Sequence, residues 1–342
     1  MKKLYLFIIS AVLMLLLVSC GGLESSVEVD EDFPVLTDTR GEDTKMNTIT
    51  TLNGNEVEYN MNTRRIVCIF GSQDVVAFGI KLLAYEGSTE IKGYESYYEG
   101  AEKLKDSTPF NIEEVMSYNP ELLLVNEKMS KDNIDTLSKV APVIPLFTET
   151  TNFEYRLNYI GEIFGLQESA NTLINYANNL KTSMLNKMKG LGLEDKTLTI
   201  YTYQGAISII PERGWFINVI IYEYLGIKRE DNVYEFMTDE SGMVYEPISN
   251  ENLKDYEGDL VMFASFDSNE ISSYVTENVG WKRLKAVKEN RVGVIDITPY
   301  GQKGVLLLYN QYIQIFKALK VAAQIEEWFC WKIKNSAIEK NL

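Results

Sequence analysis

Short, β-branched apolar runs alternate with stretches of helical spacing along most of this chain, and that alternation is its tightest constraint. "RRIVCIF" (64–70) ends at Gly71 and gives way to "SQDVVAFGI", a helix expected to open on Ser72 and to close at a left-handed Gly79. "NIEEVMSYN" reads as a helix before the strand "PELLLVNE" (120–127), and "APVIPLF" (141–147) as a further strand. Strands that are apolar on both faces need cover on both sides, which is the situation of a mainly parallel sheet built from βαβ units. The same alternation returns in "LTIYTY" (198–203), "DLVMFAS" (259–265) and "RVGVID" (291–296), with helices expected at 214–226, 250–257, 277–287 and 305–328. Between the two halves, Phe153, Leu157, Ile160 and Phe164 keep helical spacing up to Gly165. A second helix then runs from Gln167 through Lys189 with Leu173, Ala177, Leu180, Met184 and Met188 on one stripe. At 1.5 Å per residue it covers ~35 Å, the length of a strut across two lobes. The fold class expected is α/β: two lobes with mainly parallel central sheets joined by a single long interdomain α-helix. The boundaries expected are an N-terminal lobe over 46–152, a helical connection over 153–190 and a C-terminal lobe over 191–342.

The N-terminus carries a different signal. Lys2 and Lys3 precede a run from Leu4 to Val18 that is almost wholly apolar. It is shorter than the ~20 residues a membrane-spanning helix needs, and it fits the apolar region of a signal peptide over 1–19. Leu17-Val18-Ser19-Cys20 resembles the bacterial lipobox, which implies that Cys20 is lipidated and anchors the mature chain to the extracytoplasmic face of the membrane. The acidic, aperiodic stretch over 20–45 reads as a flexible linker behind that anchor. Removing 1–19 takes away two lysines and no acid, so the formal charge goes from −16 to −18. Such a balance speaks against nucleic acid as a partner. The chain has no histidine, which removes imidazole-based zinc sites and the Ser-His-Asp and Cys-His mechanisms. No enzyme, no cofactor and no directly held metal are therefore expected. Whether Cys68 and Cys330 pair stays open.

Four stretches, in order, carry a resemblance to a known family. "ITTLNGNEVEYNMNTRRIVCIF", "NIEEVMSYNPELLLV", "ISNENLKDYEGDLVMF" and "GWKRLKAVKENRVGVID" are similar to the substrate-binding lipoproteins of ABC importers for ferric siderophores, haem and cobalamin, over about residues 46–320. The proline usual before the first lobe strand is absent here. The resemblance implies one surface glutamate per lobe that docks on arginines of the permease dimer: Glu113 and Glu251, with Glu114 and Glu246 as nearest rivals. A carboxylate at a helix start is favoured by the helix dipole and can meet an arginine bidentately. Without the resemblance each reads as an ordinary N-terminal helix charge or capping-box member; with it, docking is the expected role.

Ligands of open α/β sheets sit beyond the carboxyl ends of the strands. That rule points to Gln73, Tyr97 and Lys128 in the first lobe, and to Tyr203, Arg213, Trp215 and Tyr300 in the second. A ferric siderophore needs cationic donors for its chelating oxygens and aromatic faces for its body; Arg213 and Trp215, two apart in a Pro/Gly loop, suit both. The expected function is a monomeric receptor that binds a ferric siderophore and presents it to an ABC permease dimer with its ATPase, with modest lobe closure. Haem or cobalamin on the same architecture, or a ligand sensor uncoupled from transport, are the alternatives. The chelator class is not readable.

Overall fold

The computed structural model describes residues 33–86, 94–105, 111–147, 152–210, 219–235, 247–266, 270–297 and 304–324. A polar hairpin, β1 (Met46–Thr50) and β2 (Glu56–Asn60), pairs antiparallel with Met46 opposite Asn60. It leads into the first lobe: β3 (Ile66–Cys68), α1 (Ser72–Ala77), β4 (Ala84–Tyr85), β5 (Glu102–Lys103), α2 (Ile112–Ser117), β6 (Leu122–Asn126), α3 (Lys131–Leu137) and β7 (Val143–Leu146). The strands lie in the order β5-β4-β3-β6-β7 and every neighbouring pair is parallel. β3, β6 and β7 are buried along nearly their whole length, which is why their sequences are apolar at successive positions rather than at alternate ones.

α4 (Phe153–Phe164) and α5 (Gln167–Gly190) follow as an antiparallel pair turned at Gly165. All nine stripe residues named above are buried. The 24 residues of α5 span about 36 Å between the last elements of the first lobe and the first strand of the second. The second lobe holds β8 (Thr197–Tyr203), β9 (Ile207–Ile209), a π-helical turn Val219–Tyr224, β10 (Lys228–Arg229), α6 (Asp231–Glu235), β11 (Leu260–Ser265), α7 (Ser273–Thr276), α8 (Lys285–Lys288), β12 (Val292–Asp296) and α9 (Leu308–Ala322). Its order is β10-β8-β11-β12, parallel throughout, with β9 antiparallel to the carboxyl half of β8. Trp281 of the "GWKRL" stretch is fully buried, edge-on to Tyr201 and to Phe263, each at 5.6 Å. Burying such a ring contributes on the order of 1.5–3 kcal/mol.

Several expected boundaries shift. The helix expected over 250–257 is a single 3-10 turn, Leu253–Tyr256, and the one over 277–287 breaks into α7, a 3-10 turn at Trp281–Arg283 and α8. The asparagines and Gly280 there favour turns over continuous helix. The helix expected from 305 opens as a 3-10 turn, Val305–Leu307, before α9. Part of the helix expected over 214–226 lies outside the described residues; the rest is π-helical.

The stretch expected to be a flexible linker is, from Phe33 onward, part of the packed body. Phe33 sits edge-on to Tyr97 at 5.9 Å and to Tyr176 of α5 at 5.1 Å. Arg40, only 8 % exposed, donates to the Met61 and Thr63 carbonyls at 3.0 Å each, pairs with Asp38, and lies over the Phe164 ring. Gly79 has φ 78°, and a Cβ there would lie 2.4 Å from the Leu36 carbonyl oxygen, so the strap runs against this bare backbone. Composition signalled solvation, but Phe33, Asp38 and Arg40 tie the strap to the body.

The lobes meet at one buried carboxylate. Asp74 of α1 accepts the Val305 N–H at 2.7 Å through Oδ1, and its Oδ2 pairs with the Arg156 guanidinium of α4. Both side chains are buried. Burial holds the Arg156 guanidinium down to about 10, still charged at neutral pH. Beside this pair, a Cβ on Gly304 would lie 2.5 Å from the Gln73 Cβ, so only glycine allows so close an approach. Asn310 Nδ2 donates to the Tyr94 hydroxyl at 2.6 Å, a second polar tie between α9 and the first lobe. Asp74→Asn keeps the shape and an acceptor for Val305 but leaves Arg156 with no opposite charge on Asp74. Breaking a buried pair on one side costs ~3–5 kcal/mol, so denaturant unfolding should show a loss of that order; a loss under about 1 kcal/mol, the size of a surface pair, would mean that the pair does not hold the lobes.

Candidate functional site

The strand orders place two crevices. In the first lobe the chain winds outward from β3 to β4 and β5 on one side and through β6 and β7 on the other, so the order reverses between β3 and β6. In the second lobe it reverses between β8 and β11. Such switch points leave a gap at the carboxyl ends of the strands, because adjacent loops turn away in opposite directions. Thr202 Oγ1 donates to the Ala264 carbonyl at 3.0 Å and ties β8 to β11 just below the second gap.

Around the first gap lie the turn Ile69–Gly71, Glu86 after β4, and the loop after β6. Glu86 Oε1 accepts the Ser72 N–H at 3.2 Å, and Ser72 Oγ meets the Tyr98 hydroxyl at 3.1 Å. Lys128 is exposed on the loop after β6, its N–H held by Asn126 Oδ1 at 2.7 Å. Gln73 is 3 % exposed and packs on Gly304, so in this conformation it serves the lobe contact and is out of reach of a bulky ligand. Tyr97 is half-buried in the belt with Phe33 and Tyr94. At the second gap Tyr203, half-buried at the end of β8, stacks on Tyr274 of α7 with ring centroids 5.9 Å apart and planes 8° from parallel. Arg213, Trp215 and Tyr300 lie outside the described residues, as do Cys20 and Glu246. The structure thus brings Lys128 to the first gap and Tyr203 to the second, and withdraws Gln73 to the lobe contact.

Glu113 is exposed in the first turn of α2, whose N-terminus is capped by Asn111 Oδ1 accepting from the Glu113 and Glu114 N–H groups. Glu114 turns back to accept the Lys105 N–H at 3.3 Å, leaving Glu113 the more outward of the two. Glu251 is exposed in the turn before Leu253–Tyr256. The Cys68 thiol is buried and donates to the Phe70 carbonyl at 3.0 Å; burial raises its pKa well above the ordinary thiol value, which makes it inert. Cys330 lies outside the described residues.

Three residues that matter here were not singled out from the sequence: Asp74, Arg156 and Tyr274. Asp74 and Arg156 did leave a trace. Each is a charge set into an apolar stretch, "SQDVVA" and "FEYRLNYIGEIF", and a charge on a buried face needs a partner of opposite sign.

A groove of about 760 Å³ opens at the other end of the second lobe, beside the amino ends of its strands, lined among others by Lys196, Glu257, Asp259, Glu289 and Arg291. Its charges satisfy one another: Lys196 pairs with Asp259 at 3.9 Å, Arg291 with Glu289 at 2.6 Å, and Glu257 accepts the Lys285 and Ala286 N–H groups. Topology points to the other end of the sheet, and this groove with its paired charges is the weaker candidate.

Tyrosines set a limit on the alkaline side. Burial raises the pKa values of Tyr98, Tyr201 and Tyr312 above the ordinary phenol value, and that of Tyr224 to about 12. In the unfolded chain each ionises near ~10, so the unfolded state loses protons first. Their contribution to stability is complete below that pH and is lost as pH rises towards the folded values. Between pH ~10 and ~12, the last part of the tyrosinate absorbance, that of the buried phenols, should rise only together with loss of far-ultraviolet circular dichroism; full ionisation of all 21 tyrosines on an intact fold would contradict this.

Relatives give the geometry a context. A protein of Bacillus subtilis (strain 168) named iron(3+)-hydroxamate-binding protein YxeB is 26 % identical over 310 residues, covering 88 % of this chain and 91 % of its own. A solved B. subtilis structure, described as the periplasmic binding protein component of a Fep/Fec-like ferrichrome ABC transporter, superposes with TM-score 0.66 at 24 % identity, covering 79 % of this chain and 98 % of that one. FhuD2 of Staphylococcus aureus with bound ferrioxamine B superposes with TM-score 0.62 at 18 % identity, over 76 % of this chain and all of that one. These likenesses show the shared two-lobe fold. The sequence profile of the periplasmic binding proteins matches residues 86–298, most of both sheets and all of the connecting helix, and the chain belongs to that family.

Proposed function

We propose that this protein is the extracytoplasmic receptor of an ABC importer, anchored through a lipidated Cys20, that takes a ferric siderophore between its lobes and hands it to a permease dimer without altering it. The observation that carries this reading is the similarity to a protein named for iron(3+)-hydroxamate binding along nearly the full length of both chains. A ferric hydroxamate is the first expected ligand. Arg213 would meet the chelating oxygens and Trp215 would form a wall, with Tyr203, Tyr300, Tyr97 and Lys128 at the rim. Asp74 makes wide closure costly, so ligand capture is a small adjustment of two nearly fixed walls. Such preorganisation leaves more of the contact energy for affinity. Among the described residues no helix is long and apolar enough to cross a membrane, and membrane attachment rests on Cys20.

Tryptophan-fluorescence titration of residues 21–342 with ferric hydroxamate, catecholate and citrate chelates and with haem tests the reading. Saturable quenching by the ferric hydroxamate, lost in Arg213→Ala and Trp215→Ala, is expected; no saturable response to any iron chelate would overturn it. Docking is tested separately. Glu113→Arg with Glu251→Arg should leave binding unchanged while cellular uptake of the radiolabelled ferric chelate falls at least about tenfold, since like charges across an interface cost several kcal/mol. Normal uptake would return both glutamates to being helix-end charges.

A further inference from the structure

Tyr274 is 74 % exposed, one of the most exposed large side chains among the described residues, yet it is not loose on the surface. Its ring is stacked in parallel on Tyr203, and Tyr203 packs on the second lobe's core of Tyr201, Phe263 and Trp281. An aromatic ring held parallel to a partner and otherwise open presents an apolar face with part of its ordering already met. Its place in the fold narrows what it faces. Tyr203 ends β8, and Tyr274 lies in the helix that follows β11. These are the two strands that flank the switch point of the second lobe, and the stacking on Tyr203 keeps Tyr274 on the side of their carboxyl ends.

Tyr155 offers a contrast. It is 54 % exposed and touches Phe147, but at a 50° tilt and beside β7, the outermost strand of its sheet and away from the switch point. Parallel stacking and switch-point position coincide only at Tyr274 among these exposed tyrosines. We infer that Tyr274, backed by Tyr203, is a ligand-contacting, specificity-determining residue, its open face receiving the organic body of a ferric hydroxamate. This rests on the receptor reading above. The contact uses the ring face, because the iron's coordination sites are already filled by the chelator and what it presents outward is carbon skeleton. A ring face packs on aliphatic and amide groups and needs no hydrogen bond; the phenol hydroxyl is dispensable.

The test is a fluorescence or calorimetric titration of the purified protein with ferrioxamine B, comparing the unaltered chain with Tyr274→Ala and Tyr274→Phe. Removing the ring should weaken binding about tenfold, the size expected for one aromatic contact, while Tyr274→Phe should stay within about twofold. Unchanged binding in Tyr274→Ala, by a variant with the melting temperature of the unaltered chain, would overturn the inference and leave the receptor reading intact. A loss in Tyr274→Phe as large as in Tyr274→Ala would replace the ring-face contact by a hydrogen bond and also overturn it. If the unaltered chain binds neither ferrioxamine B nor any other ferric chelate, the receptor reading falls and takes this inference with it.

Discussion

One carboxylate fixes the relation between the two halves of this protein. Asp74 reaches Arg156 on the connecting helices with one oxygen and the backbone N–H of Val305, at the head of the last helix, with the other. An aspartate can serve two such partners only when buried between them, and a buried guanidinium without a carboxylate would be costly. The chain therefore has few ways to place the second lobe on the first. Gly304 allows the approach, and the long α5 spans the same distance on the covalent side. Three such points clasp the two lobes together.

That clasp lies next to the first gap. α1 starts immediately after Gly71, at the carboxyl end of β3, so the residue that locks the lobes is three positions from the turn that lines the first gap. The turn at the first gap and the lobe contact share one short segment, Gly71-Ser72-Gln73-Asp74. The amino-end groove of the second lobe holds about 760 Å³, but several of its acids and bases are already paired. Desolvating those charges for a ligand would undo existing pairs.

The sequence was informative where burial is continuous and silent where elements are short. β3, β6, β7, β8 and β11 were legible because both faces of each strand are covered, β12 because it is rich in β-branched residues although alternate positions are only half-buried, and α4 and α5 because their apolar stripes are long. β4, β5 and β10 are two residues each, too brief for any periodicity, and they owe their pairing to neighbouring strands. The strap at 33–41 looked like linker because Arg40 and Asp38 are polar by composition; their mutual pairing and the bare backbone at Gly79 are tertiary facts. Gln73 was placed in the gap because it follows β3, and position in the chain does not reveal which side of α1 faces the other lobe. Tyr274 was hidden among 21 tyrosines, separable only once its ring was seen stacked on Tyr203.

On the proposed reading a ferric chelate sits between the carboxyl ends of the two sheets. Anomalous diffraction at the iron edge, from crystals grown with a ferric hydroxamate, locates it. A single iron peak is expected between the Gly71 turn and the Tyr203–Tyr274 pair, with the Asp74–Val305 contact unbroken. An iron peak at the amino-end groove, or lobes that part at Asp74 to admit the ligand, would contradict it.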